Sequence, residues 1–269
     1  MKSSFFYAHS EFEVRQLPVL RDNYIYLIIN PRRGEALVID PALSQEVIDL
    51  CAQLRVTPVA ILNTHHHWDH TDGNLALKEK FGLEVVANGE LGEMANETQS
   101  VPGQTKPALA ELELAGLTIR TLRVPGHTQD HLAYLIGDAL FCGDLLFGAG
   151  CGRIFEGTAK QMWQSLQRVA ELPLATKVYC AHEYTLANLQ FARRVDGENP
   201  ALAARSITDK KQRRQGRPTI PTTIGIERAT NPFLRPLDTA FCQCYAASHG
   251  IDAEALAVFT DLRASKDHG

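Results

Sequence analysis

The sequence predicts a layered α/β protein with mixed β-sheets, followed by a small helical domain. Short apolar runs rich in β-branched residues alternate with helical patterns up to residue 182. Some neighbouring strands have no helix between them in the sequence, and such strands form antiparallel pairs. We therefore expect sheets with both parallel and antiparallel strands. After residue 182 the strand signals fade and helical patterns dominate. We therefore expect a mixed α/β domain over residues 1–182 and a helical domain over residues 183–269.

The first elements alternate regularly. The segments EVRQLPV, YIYLIIN and EALVID have the composition of strands, with the turn signal NPRRG between the second and the third. Four apolar residues at helical spacing predict a helix over Leu43–Leu54. The continuous apolar run PVAIL, residues 58–62, fits a buried strand.

The remaining predicted elements complete the two domains. A helix around 74–81 precedes the strands LEVVA, LTIRTLRV, HLAYLIG and ALFCGD, and a helix over 159–172 precedes the strand TKVYCAH. Helices are predicted over 184–194, 239–248 and 253–265. The segment DKKQRRQGRPTI, residues 209–220, is polar, basic and punctuated by Gly and Pro, so we expect a long loop there.

Composition and charge exclude several functional classes. The net charge of −4 does not favour binding to nucleic acid, and the basic residues between 210 and 217 are expected to form a solvated surface. No apolar run is long enough to span a bilayer, and the N-terminus lacks the features of a secretory signal. The six scattered cysteines suit reduced, mostly buried thiols, which predicts a location in the cytoplasm.

The segment NTHHHWDHTDG, residues 63–73, concentrates four histidines and two aspartates where a buried strand ends. Successive side chains on extended backbone point to opposite sides, so His65 and His67 face one point while His66 faces away. A turn after Trp68 brings Asp69 and His70 to a neighbouring point. The pair His65 and His67 and the pair Asp69 and His70 suit two divalent ions. Each ion then needs further ligands from other segments of the chain.

Three other segments supply ligands where a strand gives way to a loop. They are VPGHT with His127, CGDLLF with Asp144, and YCAHEYT with His182. Gly126 and Gly143 precede two of these residues and permit backbone angles that redirect a side chain. A carboxylate such as Asp144 can bridge two ions. The expected division gives one ion His65, His67, His127 and Asp144, and the other Asp69, His70, His182 and Asp144.

A closed structural zinc site and a non-catalytic metal-binding protein are the alternatives to a catalytic centre. Structural zinc sites are usually four-coordinate and rich in cysteine, whereas the ligands here are all His and Asp. The site is therefore predicted to be open and catalytic. His and Asp ligands suit several first-row ions, so zinc is expected with iron and manganese as alternatives. At the end of EALVID, Asp40 is expected either to orient a ligand histidine or to cap a turn.

With these residues assembled, the chain resembles the metallo-β-lactamase superfamily, and within it the glyoxalase II family of hydroxyacylglutathione hydrolases. The segments that carry the resemblance are THHHWDHTDG, PGHTQDH, FCGDLLFGAGCGRIFEGT, CAHEYT, NPFLR and LRASKD, in this order. They cover nearly the whole chain. The resemblance implies a four-layer αββα sandwich with two metal ions and a small C-terminal helical domain.

The resemblance also implies the reaction and the substrate-binding residues. The family hydrolyses S-D-lactoylglutathione and related S-2-hydroxyacylglutathiones in methylglyoxal detoxification, through a hydroxide that bridges the two ions. Asp69 and Asp144 then belong to the catalytic centre, and we expect a monomer without nucleic-acid or membrane partners. Matching the family pattern assigns glutathione contacts to Arg153, Phe155, Tyr184, Arg263 and Lys266.

The chain departs from the family pattern at three positions. Arg153 replaces a frequent Lys and keeps the charge, whereas Phe155 replaces a frequent Tyr and lacks its hydroxyl. Asp130 stands where relatives often have Gly. The alternatives within the superfamily are a lactonase or β-lactamase, a nuclease, and a glutathione-linked persulfide dioxygenase. The C-terminal segment with Arg263 and Lys266 argues against a lactonase, a β-lactamase and the dioxygenase. A nuclease needs a nucleic-acid-binding surface, which only the basic residues between 210 and 217 favour.

Overall fold

A computed structural model describes residues 4–88, 98–101 and 110–268. The chain divides into two compact units, each described by itself below. The first unit contains residues 1–123 together with Asp130–Gly143, and the second contains Val124–Gln129 together with Asp144–Gly269. None of the helices in the described residues has the length and apolar character needed to cross a membrane.

The first unit contains a seven-stranded sheet whose strands are neighbours in chain order. The strands β1 to β4 pair antiparallel, and β4 to β7 pair parallel, as predicted for a mixed sheet. The strands are β1 Phe5–Ala8, β2 Glu13–Val19, β3 Asn23–Asn30, β4 Glu35–Ile39, β5 Thr57–Leu62, β6 Glu84–Asn88 and β7 Thr98–Val101.

Helices cover one face of this sheet. The first unit contains α1 Ser44–Leu54, α2 Trp68–Thr71 and α3 Asn74–Phe81. Val47 of α1 and Leu77 of α3 share a buried cluster with alternate residues of β3, including Ile25 and Leu27. Alternate side chains of a strand point to the same face, so this cluster lies between the helices and the sheet.

A second, antiparallel group of strands lies against the other face of the seven-stranded sheet. It consists of β8 Ala110–Leu114, β9 Leu117–Arg123, β10 Leu132–Ile136 and β11 Ala139–Gly143. The ring of Tyr26 in β3 contacts that of Phe141 in β11, with centroids 5.5 Å apart. Tyr134 of β10 donates to the carbonyl of Asn63, which directly follows β5, at 2.6 Å. The two groups of strands therefore form a sandwich.

The second unit is mainly helical. Its strands are short, namely β12 Leu146–Phe147, β13 Gly150–Cys151, β14 Lys177–Cys180 and β15 Thr222–Thr223. Its helices are α4 Ala159–Ala170, α5 Thr185–Val195, α6 Pro200–Arg214, α7 Ile224–Thr230, α8 Thr239–His249 and α9 Ala255–His268. Helix α4 begins with a capping box in which Thr158 accepts from the Gln161 amide and the Gln161 side chain accepts from the Thr158 amide.

The predicted loop over residues 209–220 is wrong for its first half. Helix α6 continues to Arg214, so residues 209–214 are helical. Asn199 caps this helix and Pro200 occupies its first turn, both favourable positions. Sequence patterns missed the helix because much of its buried side is polar, with Arg205, Ser206 and Asp209 beside Leu202. The short helix α7 was also not predicted.

Candidate metal centre

The histidine segment of the first unit begins directly after β5. His65 is buried, and its Nε2 lies 3.0 Å from Nδ1 of the half-buried His67. His66 instead directs its Nδ1 to the carboxylate of Asp130, at 3.1 Å. His65 and His67 therefore lie together, while the imidazole of His66 turns to Asp130, with its ring centroid 5.1 Å from that of His67.

The turn expected after Trp68 is the short helix α2, and it carries the next two proposed ligands. His70 is buried, and its Nε2 lies 3.6 Å from Oδ2 of Asp69. The side-chain amide of Asn23, at the start of β3, donates to this Oδ2 at 2.9 Å and to the Asp69 carbonyl at 3.2 Å. Sequence patterns missed Asn23, because nothing in a strand's first residue indicates contact with a segment 46 positions later.

Asp40 orients two of the histidines. Its carboxylate accepts from the amide and the hydroxyl of Thr64, both at 2.7 Å, and lies 3.0 Å from Nδ1 of His70. Since Thr64 gives its hydroxyl hydrogen to Asp40, Nδ1 of His65, 3.0 Å away, donates to the Thr64 oxygen. Nδ1 of both His65 and His70 then carries the proton, which leaves the lone pair of Nε2 for a metal ion. Of the two roles expected for Asp40, the structure shows the orienting one.

Three further proposed ligands lie together in the second unit. Asp144, two residues before the start of β12, has Oδ2 at 3.5 Å from Nε2 of His127 and Oδ1 at 3.3 Å from Nε2 of His182. Each carboxylate oxygen thus faces a different imidazole, as bridging requires. Nδ1 of His127 donates to the carbonyl of Arg153 at 2.8 Å, which again leaves Nε2 for a metal. All three ligands are buried.

The spacing of these atoms fits metal ligands. With Zn–N bonds of about 2.0–2.1 Å, two ligands of one tetrahedral ion lie about 3.3 Å apart. The pairs within each unit lie between 3.0 and 3.6 Å apart. The donors are imidazole nitrogens and carboxylate oxygens, which suit zinc and other first-row divalent ions. Each half of the predicted ligand set therefore fits a divalent metal.

Two aromatic residues assigned to the substrate lie beside the ligands of the second unit. The ring of Tyr184 stacks on that of His182, with centroids 4.7 Å apart. Phe155 is 61% exposed, and its ring centroid lies 5.1 Å from that of His127. Both side chains therefore offer apolar contact next to proposed metal ligands.

The three cationic residues assigned to the substrate differ in exposure. Arg153 is exposed, whereas Arg263 is buried and donates to the Cys151 carbonyl at 3.1 Å and to Asp267 at 2.8 Å. The same oxygen of Asp267 lies 3.7 Å from Nε of Arg153, so this carboxylate connects the two guanidinium groups. Sequence reasoning missed Asp267, although it directly follows the motif residue Lys266.

Lys266 lies on α9, with its ammonium 5.1 Å from the centre of the Phe191 ring. Burial, together with the positive charge of Arg263, lowers the pKa of Lys266 from 10.5 to about 8. The residue therefore carries most of its charge at neutral pH and loses it in mildly alkaline solution.

Comparison with known proteins relates both parts of the chain to one enzyme family. Residues 19–182 match the family model described as metallo-beta-lactamase superfamily, and residues 183–269 match the model described as hydroxyacylglutathione hydrolase C-terminus. A hydroxyacylglutathione hydrolase of Synechococcus sp. (strain JA-2-3B'a(2-13)) is 47% identical over 258 residues, covering 94% of this chain and 98% of the relative.

Two solved structures have the same fold. ETHE1 from Myxococcus xanthus aligns with a TM-score of 0.62 and 30% identity, covering 82% of this chain and 84% of that one. TTHA1623 in a di-iron-bound form aligns with a TM-score of 0.55 and 26% identity, covering 81% and 98%. The predicted αββα fold with a C-terminal helical domain is confirmed. The chain belongs to the hydroxyacylglutathione hydrolase family of the metallo-β-lactamase superfamily.

Proposed function

We propose that this protein is a thioesterase that hydrolyses S-D-lactoylglutathione and related S-2-hydroxyacylglutathiones to the 2-hydroxy acid and glutathione. The observation that carries the proposal is the match of residues 183–269 to the C-terminal model of this family, beside a superfamily match that spans all seven proposed ligands. We propose a domain boundary between residues 182 and 183, which the limits of the two family models support. We therefore assign catalysis to residues 1–182 and glutathione binding to residues 183–269.

The seven proposed ligands would hold two divalent ions. His65, His67 and His127 would bind one ion, Asp69, His70 and His182 the other, and Asp144 both. The hydrogen bonds from Nδ1 of His65 and His70 support these two histidines as ligands, because they leave the Nε2 lone pair for a metal. The two oxygens of Asp144, each facing a different imidazole, support its bridging role.

Bound divalent ions would supply hydroxide at neutral pH and polarise the thioester carbonyl. Hydrolysis would join a water-derived oxygen to the carbonyl carbon and break the carbon–sulfur bond, with the electron pair leaving on the thiolate sulfur. A thiol has a pKa near about 8.5, so its thiolate leaves without a dedicated acid. Among the chain's own residues, Asn23 fixes the Asp69 carboxylate, which can accept the hydroxide proton. Asp69 and Asp144 are thus the catalytic carboxylates.

Glutathione carries two carboxylates and one ammonium at neutral pH, so cationic residues are expected to hold it. Arg153, Lys266 and Arg263 offer three positive charges in the second unit. Arg153 is exposed, and Lys266 keeps its charge below about pH 8. Tyr184 and Phe155 provide apolar contact beside the ligands.

The finer assignments follow from the same chemistry. We propose zinc as the metal, because the ligands are those of catalytic zinc sites, with iron and manganese as the alternatives that metal analysis distinguishes. We further propose a monomer that acts in methylglyoxal detoxification in the cytoplasm. Five of the six cysteines are buried and none forms a disulfide, which suits a reducing compartment.

A substrate panel tests the function. The purified protein, loaded in turn with Zn²⁺, Fe²⁺ and Mn²⁺, is assayed with lactoylglutathione, a lactone, a β-lactam and a short RNA. We expect hydrolysis of lactoylglutathione alone, and its loss together with bound metal in Asp144→Ala. Full activity in metal-free Asp144→Ala would contradict the mechanism, and preference for another member of the panel would contradict the substrate.

A glutathione-linked persulfide dioxygenase, the alternative expected within the same superfamily, is the second candidate. Such an enzyme uses one iron and consumes oxygen. Oxygen uptake by the iron-loaded protein with glutathione persulfide, in the absence of lactoylglutathione hydrolysis, would establish this alternative. The match of residues 183–269 to the hydrolase C-terminus argues against it.

A further inference from the structure

A short hairpin joins two of the proposed functional residues in the second unit. It comprises residues 145–152, here called the connecting hairpin, and runs from the ligand Asp144 to the substrate residue Arg153. Strands β12 and β13 form its two sides, and the Gly152 amide donates to the Leu145 carbonyl at 3.2 Å. The carbonyl of Arg153 accepts from Nδ1 of His127. The hairpin therefore places one ligand at its start and orients a second at its end.

Two buried side chains at α7 hold the turn of the connecting hairpin. Asn231, directly after α7, donates to the carbonyls of Phe147 at 3.2 Å and Gly150 at 2.9 Å. Glu227 of α7 accepts from the Ala149 amide at 2.9 Å and from Nδ2 of Asn231 at the same distance. Neither side chain has any exposed surface. Asn231 and Glu227 thus hydrogen-bond to backbone groups on both sides of the turn.

Two other helices of the second unit hold the remaining peptide groups. Asn188 of α5 donates to the Gly148 carbonyl at 3.1 Å, and Arg263 of α9 donates to the carbonyls of Cys151 and Gly152. Side chains from the C-terminal segment therefore bind every residue from 147 to 152 of the connecting hairpin.

The conformation of the turn explains why it needs this support. Ala149 has a φ of 55°, in the left-handed region that residues with a side chain rarely adopt. Such a conformation persists only where surrounding contacts determine it. A Cβ added at Gly148 would meet Thr185, and one added at Gly150 would meet Asn188. The turn is therefore closely enclosed.

The buried carboxylate of Glu227 forms an ion pair with Arg205 of α6. Arg205 of α6 donates to Glu227 at 2.6 Å, to Asp209 at 3.1 Å and to Thr230 at 2.7 Å. A buried carboxylate is stable only where it is paired and hydrogen-bonded. Arg205 supplies the pairing, so Glu227 remains an acceptor for the hairpin.

We propose that Asn188, Glu227 and Asn231 are positioning residues that hold the connecting hairpin in the conformation its neighbouring metal ligands need. The inference rests on the proposed function for the identity of those ligands. It gives the C-terminal segment a role at the metal centre beyond contact with glutathione. Loss of one of these hydrogen bonds loosens the hairpin, so that Asp144 and His127 are less well oriented before metal binds.

The test compares three asparagine-to-alanine variants of the full-length protein. Asn188→Ala and Asn231→Ala each remove contacts to the hairpin. Asn199→Ala is the matched control, since Asn199 caps α6 and donates to Asp196 and Ala229, not to the hairpin. For each variant the Zn²⁺ dissociation constant is measured by competition with a chromogenic chelator, beside the thermal midpoint and the kinetics with lactoylglutathione.

We expect Asn188→Ala and Asn231→Ala to weaken Zn²⁺ binding by about 10- to 100-fold, the usual effect of losing a residue that orients ligands. Asn199→Ala should lower the thermal midpoint while its dissociation constant stays that of wild type. Zn²⁺ affinities of the two hairpin variants equal to that of Asn199→Ala would overturn the proposal. Should Asn231→Ala fail to fold, Asn188→Ala decides alone.

Zn²⁺ affinity also separates this proposal from the proposed function. A wild-type protein that binds Zn²⁺ tightly but leaves lactoylglutathione intact would refute the thioesterase assignment. The comparison of the three variants would still decide whether the hairpin contacts position the ligands.

Discussion

The carboxylate of Asp40 lies 3.0 Å from Nδ1 of His70, and both side chains are buried. Thirty positions separate the two residues in the sequence, yet this contact determines which nitrogen of His70 can bind a metal. Because the same carboxylate also accepts from Thr64, which in turn contacts His65, one residue orients two proposed ligands.

We expect Asp40→Ala to weaken Zn²⁺ binding by about 10- to 100-fold, since the variant removes the group that fixes the His70 tautomer. Competition with a chelator measures the effect. Asp138→Ala is the control, because Asp138 pairs with His9 and not with a proposed ligand. Equal affinity in Asp40→Ala and Asp138→Ala would contradict an orienting role for Asp40.

The lowered pKa of Lys266, about 8, predicts a pH dependence of substrate binding. The side chain is an ammonium below this pH and neutral above it, so KM for lactoylglutathione should rise as the pH increases through about 8. Lys266→Ala should raise KM at neutral pH far more than it lowers kcat.

Lys266→Arg supplies the control for this titration. Arginine remains charged throughout the range, so the variant should lose the increase in KM that the wild type shows above about pH 8. The same increase in Lys266→Arg as in the wild type would assign the titration to a different group.

The ring of Phe155 is exposed and lacks the hydroxyl of tyrosine, the residue that the family resemblance leads us to expect at this position. A hydrogen bond contributes about 0.5–1.5 kcal/mol, so Phe155→Tyr should lower KM for lactoylglutathione by about 2- to 10-fold and leave kcat unchanged. Steady-state kinetics measures both constants, with Phe155→Leu as the comparison without a ring. An unchanged KM in Phe155→Tyr would place the glutathione moiety away from this side chain.

The capping box at the start of α4 predicts a change in stability alone. Thr158→Ala removes the side-chain acceptor for the Gln161 amide, which should lower the free energy of unfolding by about 0.5–2 kcal/mol. Urea unfolding measures this loss. Thr158→Ser keeps the hydroxyl and should retain most of the stability, and an equal loss in both variants would argue against the cap.

Local patterns were sufficient where one face of an element is apolar. Helices α1 and α4 were predicted because their apolar residues recur at helical spacing. The strands around residues 13–40 were predicted from their composition, and β3 is buried at all eight positions. Helix α6 was mistaken for a loop over residues 209–214 because its buried side is polar: Arg205 pairs there with Asp209 of the same helix and with Glu227 of α7. Only the folded structure shows such pairing.

The sequence by itself determined the fold class, the family and the residue types of the metal centre, since all of these depend on periodicity and on motifs contained in short segments. Only the tertiary structure decided which side chains orient the ligands. Asp40, Asn23 and the residues that hold the connecting hairpin come from distant segments, and a hydrogen bond between distant segments leaves no local pattern. Burial then makes these bonds obligatory, because a polar group removed from water must find its partner within the fold.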